Sequence, residues 1–221
     1  METSAYFPFW NQLSAQQKEI LEKGISIRQA KKGSVIHNGL EDCTGLLLVT
    51  KGQLRAYILS EEGKEITLYR LFERDMCLFS ASCIMRSIQF EIMVQAAQDV
   101  QYLHIPSKIY EKLMVESAAV SNYTNEIMAS RFSDIMWLLD QILYKKMDSR
   151  IAAFLLEEFS AMGKDIPITH DEIARNLGTA REVVTRMLRY FQQEGILSLS
   201  RGSVRILDPD RLKTAAAESI R

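Results

Sequence analysis

Ile168-Thr169-His170-Asp171-Glu172-Ile173-Ala174-Arg175-Asn176-Leu177-Gly178-Thr179-Ala180-Arg181-Glu182-Val183-Val184-Thr185-Arg186 is the most informative segment of this 221-residue chain. Thr169 and Glu172 have the spacing of a capping box, in which a hydroxyl and a carboxylate each accept a backbone N–H at a helix start. They open a short helix through Leu177, and Gly178 makes the turn. Thr179 and Glu182 repeat the spacing and open a second helix through about Gln193. Two short helices joined by a glycine turn form a helix-turn-helix. On the second helix Ala180, Val184, Met187, Leu188 and Phe191 share one face, which should pack inward. Glu182, Thr185, Arg186 and Arg189 recur at i, i+3, i+4, i+7 on the other, with Arg181 beside them. That chemistry suits a DNA major groove, where arginine donates twice to guanine O6 and N7 and glutamate accepts from cytosine N4.

Past Gly195, Ile196–Ser200 and Ser203–Leu207 read as two strands around Arg201-Gly202, so the motif is winged. Arg201, at the tip, is placed to meet a phosphate, a contact that adds affinity but no sequence information. The candidate DNA-binding residues are therefore Thr179, Arg181, Glu182, Thr185, Arg186, Arg189 and Arg201. Charge supports the same segment. Between Arg175 and Arg205 lie six arginines, two glutamates and no lysine or aspartate, a net +4 in a chain whose total is −1. An acidic body with one arginine-only stretch points to a local anionic partner, and the overall balance excludes a uniformly basic coat.

Upstream, Asp148 or Ser149 is placed to cap a helix over Arg150–Met162, after a hinge at residues 145–149. A longer helix is expected from about Ala118 to Lys145, with no Gly or Pro inside. Its apolar residues Met128, Phe132, Ile135, Leu139 and Ile142 are spaced 4, 3, 4, 3, which is a coiled-coil seam over about two heptads. Such a seam fits a second copy of the chain, and packing on the chain's own N-terminal domain is the other reading. From residue 25 to about 105 the period shortens. Ile25–Ala30, Thr44–Thr50, Gln53–Ser60, Lys64–Leu71 and Ile88–Ala97 are strand-length runs separated by turns such as Lys51-Gly52 and Glu61-Glu62-Gly63. They predict an antiparallel sandwich or jelly-roll barrel, interrupted by a short helix at Leu78–Arg86. Ser14 and Gln17 carry capping-box spacing in a first helix over 11–23, stopped by Gly24.

The segment Ile173–Arg186, with Gly195-Ile196-Leu197, Arg201-Gly202, Ile206, Asp208 and Leu212 behind it, resembles the bacterial cyclic-AMP receptor protein and fumarate–nitrate regulator (Crp/Fnr) family. The resemblance covers almost the whole chain, with Gly33, Gly52, Gly63 and Asp75 where the family's turns fall. It implies an α+β architecture of three parts. Residues 1–116 would form a cyclic-nucleotide-binding-like β-barrel that senses an effector, residues 117–145 a dimerisation helix, and residues 146–221 a winged helix-turn-helix. It also implies a homodimer on a near-palindromic operator in double-stranded DNA, with RNA polymerase as a partner of any activator. Departures bear on the effector. Where cyclic-AMP binders carry a glutamate this chain has Phe79, and no arginine stands near Gln89 or Phe90. Arg86 is displaced by about a turn. A different small molecule is expected in the barrel, with Ser80, Ser82 and Arg86 as candidate effector residues. Ala180 and Val183 replace hydroxyl residues that would meet phosphates.

Other functions find little support. The composition, 47% hydrophobic and 25% charged, is that of an ordinary globular protein, and no apolar run approaches a membrane span. Met1–Phe9 lacks the basic and apolar regions of a secretory signal. Three cysteines, Cys43, Cys77 and Cys83, make no disulfide framework and fit a reducing cytoplasm. They are also too few for an iron–sulfur cluster, and none precedes Cys43. Redox-active Cys77 and Cys83 remain an alternative to buried apolar ones. His37, His104 and His170 are scattered, and no catalytic motif is present, so an enzyme is not expected. A nucleotide-sensing regulatory module acting through protein contacts is the alternative to a DNA-binding regulator.

Overall fold

Leu46-Leu47-Leu48-Val49 is an unbroken apolar run inside a strand, and both of its faces are buried. Alternate residues of a strand point to opposite faces. Leu46 and Leu48 join a cluster with Phe9, Leu21, Tyr110 and Val120, while Leu47 and Val49 join another with Leu54, Leu71 and Val94. Two cores thus lie on either side of one sheet. The computed structural model describes residues 3–39, 44–81 and 91–220.

The chain begins with 3-10 turns at Thr3–Tyr6 and Trp10–Gln12 and then helix α1, Ala15–Gly24. Eight strands follow: β1 Ser26–Ala30, β2 Val35–His37, β3 Leu46–Lys51, β4 Leu54–Leu59, β5 Glu65–Leu71, β6 Met76–Cys77, β7 Met93–Ala96 and β8 Val100–Ile105. They form two four-stranded sheets, β1-β8-β3-β6 and β2-β7-β4-β5, with antiparallel registers such as Leu48↔Leu103 and Ala56↔Val94. Among the described residues the sheets do not close into the expected barrel; they face each other as a jelly-roll sandwich. Helices α2, Ser107–Glu116, and α3, Ala118–Tyr144, come next. The C-terminal elements are α4 Met147–Met162, β9 Asp165–Ile166, α5 His170–Leu177, α6 Arg181–Gln193, β10 Leu197–Ser200, β11 Ser203–Ile206 and α7 Pro209–Ala215.

Two compact units result: Met1–Leu59 with Leu68–Ile135, and Ser60–Thr67 with Met136–Arg221. Residues of α3 belong to both units.

Local chemistry explains the boundaries. Ser14 and Gln17 form the expected capping box at α1, so the helix starts at Ala15 and not at 11. Gly24 does not stop it through a left-handed turn. A Cβ there would overlap the end of the Ile109 side chain on α2, which would have to turn aside. The expected cap of α4 also differs. Lys146 is the N-cap with no side-chain bond, and the Asp148 carboxylate accepts from Ser149 N inside the first turn. An acidic group there favours the helix dipole without closing a cap. Of the helix expected at Leu78–Arg86, the described part is a 3-10 turn, Phe79–Ala81.

The N-terminal half of α3 is tied to α2 through Thr124 and to the sandwich through Arg131. Thr124 Oγ1 meets the buried Tyr110 hydroxyl at 2.9 Å. Arg131 donates to Asp134 at 3.1 Å, approaches Asp75 at 3.7 Å and lies over the Tyr69 ring at 4.6 Å. Met128 packs against both cores, so it leaves the expected seam. Beyond it Phe132, Met136, Leu139 and Ile142 are 43–67% exposed, a stripe at helical spacing along α3.

Candidate nucleic-acid interface

The winged unit is built on one core. Ile151, Leu155, Ile173, Val184, Leu188, Phe191, Val204 and Leu212 are fully or nearly fully buried together. Burying such side chains contributes roughly 1.5–3 kcal/mol each, which fixes the helices that carry the exposed residues. Thr169 accepts from Glu172 N, and Glu172 Oε2 accepts from Thr169 N, so the capping box of α5 is complete. Gly178 ends α5 at φ +66°, a left-handed conformation that favours glycine. The Arg150 guanidinium, its pKa lowered by burial, donates to Leu177 O at 2.8 Å and closes the same end.

The second expected capping box is absent. Thr179 N donates to Ala174 O, completing the closure of α5, and α6 begins one residue later with Ala180 as an uncapped N-cap. Ala180 is consequently exposed, not inward. The remaining inward set holds: Val184, Leu188 and Phe191 are buried, and Met187 packs against them.

On the opposite face Arg181, Glu182, Thr185, Arg186, Arg189, Tyr190 and Gln193 fan out around an open depression of about 560 Å³. A surface of one helix with this openness suits the edge of a large partner and not an enclosed small molecule. Thr179 lies half-buried before the helix. Tyr190 and Gln193 were not among the sequence candidates, although they continue the series from Arg186 at i+4 and i+7. Asp171 reaches Arg181 at 3.5 Å. Both groups are exposed, and such a pair is worth about 0.2–1 kcal/mol, less than the roughly 1–3 kcal/mol of a bidentate base contact. The pair therefore leaves Arg181 available. Arg205, counted in the basic stretch, is engaged by Asp165 at 2.5 and 3.0 Å, which raises the arginine pKa and lowers that of the carboxyl. Strands β9, β10 and β11 make the wing sheet, and the exposed Arg201 sits at its turn between Ser200 and Ser203.

The effector candidates divide differently. Ser80 is fully buried, and its hydroxyl donates to Gly45 O at 2.7 Å, with Cys77 O at 3.2 Å. Its proton is thus committed to the backbone. Phe79 is packed in the sandwich core, 5.9 Å from the Tyr69 ring. Ser82 and Arg86 lie outside the described residues, as do Cys43, Cys83, Gln89 and Phe90. Cys77 is buried, and burial raises its thiol pKa above the ordinary value. His104, its pKa lowered by burial, is bonded to Thr44 O, and His37 Nδ1 faces Thr44 Oγ1.

A jelly-roll sandwich, a long helix and a winged helix-turn-helix with a polar, arginine-rich reading face define a class: transcription regulators that join a sensor to a DNA-binding domain. Comparison places the chain within it. Residues 149–215 match the Crp-like helix-turn-helix domain. A putative transcriptional regulator of the Crp/Fnr family from Eubacterium rectale is 58% identical, with a TM-score of 0.94 over 96% of this chain and 99% of that one. Transcriptional activator protein FnrA of Stutzerimonas stutzeri is 28% identical over 86% of this chain and 79% of its own length. The cyclic AMP receptor protein of Thermus thermophilus is 24% identical over 95% and 96%. The chain belongs to the Crp/Fnr family of transcription regulators.

Proposed function

We propose that this regulator is a cytoplasmic homodimer that reads a near-palindromic operator with two copies of α6. The observation that carries the reading is the face of Arg181, Glu182, Thr185, Arg186 and Arg189, held outward by a buried core and carrying guanine- and cytosine-directed groups at successive turns. Thr179 and Arg201 meet phosphates and set register. The two copies pair through the Phe132–Ile142 stripe of α3, since a two-fold axis places both reading helices on one side of the duplex. Residues 1–116 sense, 117–145 join the copies and 146–221 bind DNA. RNA polymerase is the further partner where the output is activation.

The effector is a small molecule held by the sandwich, with Arg86 meeting an anionic group and Ser80 and Ser82 bordering it. It is not cyclic AMP, because buried Phe79 stands where the family resemblance expects a carboxylate. An effector acts by binding the DNA-competent state better than the other. The salt dependence of binding to duplex DNA tests the DNA-reading proposal. Log affinity should fall linearly with log salt, with a slope set by the phosphates neutralised. Salt-independent association, or none with any duplex, would place the function in protein contacts instead.

A further inference from the structure

His170 is the first residue of α5, and its Nδ1 lies 2.9 Å from the Thr185 hydroxyl on α6. Both residues are half-buried. One position on, Asp171 pairs with Arg181. The start of α5 thus touches two of the reading side chains, and the two links differ in kind. The Asp171–Arg181 pair is exposed and screened by salt. The His170–Thr185 bond is shielded, and it decides where a hydroxyl proton points.

A hydroxyl has one proton to donate and two lone pairs. With the imidazole proton on Nε2, the Thr185 hydroxyl donates to Nδ1 and turns only lone pairs outward. The imidazolium carries N–H on both nitrogens. Nδ1–H then donates to Thr185 Oγ1, whose own proton swings out toward an acceptor. We propose that His170 is a positioning residue for base reading, its ring setting whether Thr185 offers DNA an acceptor or a donor. The proposal rests on the DNA-reading role of α6 given above.

The charged groups that face the ring are Asp171 on α5 and Arg181 and Arg189 on α6. The Glu172 carboxylate is held by Thr169. In the free protein burial, then Arg181 and to a lesser degree Arg189, keeps the His170 pKa below its ordinary value, and Asp171 opposes them. Phosphates brought close on DNA binding favour the charged ring. Binding therefore takes up a proton. The added affinity is present at acid pH and is lost as pH rises through the pKa of the DNA-bound form.

The full-length protein tests this by fluorescence anisotropy at constant ionic strength. One probe is a duplex that the wild type recovers from a random-sequence pool, and the other is a random duplex of equal length. Wild-type affinity for the recovered duplex should rise severalfold from pH 8 to pH 6. His170→Asn, whose amide oxygen still accepts from Thr185 but does not titrate, should keep the pH 8 preference with a flat profile. His170→Ala should lower the preference about tenfold, as loss of one hydrogen bond predicts, and have no effect in a Thr185→Val background. Equal preference and parallel pH profiles for wild type and His170→Ala would overturn the proposal while leaving the DNA reading intact. A wild type that recovers no sequence from the pool would overturn both.

Discussion

Arg186 and Arg201 are both exposed arginines of the winged unit, yet one stands on a helix face beside Glu182 and the other at the tip of a two-residue turn. Position separates their roles. Arg186→Ala should cost roughly 1–3 kcal/mol on the specific duplex and relax its base preference, while Arg201→Ala should weaken all duplexes alike and lower the salt slope by about one. Competition binding against random DNA distinguishes them, and equal losses for Arg186→Ala would make it a phosphate contact. The two threonines with capping-box spacing separate in the same way. Thr169→Ala should destabilise the unit by about 0.5–2 kcal/mol in urea unfolding, whereas Thr179→Ala should leave it nearly unchanged. Spacing alone made them equivalent. It could not show that Thr179 N is used to close α5, which moves the N-cap of α6 to Ala180 and its first residue to Arg181.

At the scale of elements, α5, the turn at Gly178 and most of α6 were legible because the Thr169 cap, a glycine and a 3.6-residue period agreed on one answer. Strand β3 was legible as a strand, but its burial on both faces follows from α1, α2 and α3 covering the outer side of the sheet, which no local pattern states. The same limit applies to α3. A 4, 3, 4, 3 repeat is produced equally by a helix packed on its own chain and by one paired with a partner. Met128 does the first, and Phe132, Leu139 and Ile142 are left for the second. Replacing Phe132 and Leu139 together by Glu should therefore give monomers in light scattering, since charge on an apolar dimer seam cannot be desolvated without a partner. A double variant that stays dimeric at micromolar concentration would move the interface elsewhere.

Over the whole molecule, charge and chemistry are segregated. The arginine-only stretch lies in the winged unit, and the sandwich keeps an apolar residue, Phe79, where the resemblance calls for a carboxylate. Effector identity was the least legible feature, because a pocket is defined by residues distant in sequence and Ser82 and Arg86 lie outside the described residues. Losing a charge-assisted hydrogen bond costs about 1.5–3 kcal/mol, so absence of both the glutamate and the arginine weakens cyclic AMP by roughly 10²–10⁴-fold. Calorimetric titration should show no micromolar binding, and a micromolar Kd would contradict this part of the account. The central claim, that paired α6 helices read base edges, is tested most directly by selection from a random duplex pool with the full-length protein. A near-palindrome with G·C-containing half-sites about one helical turn apart should be enriched, its G·C preference lost with Arg186→Ala. An unenriched pool, or the same enriched sequence with Arg186→Ala, would contradict it.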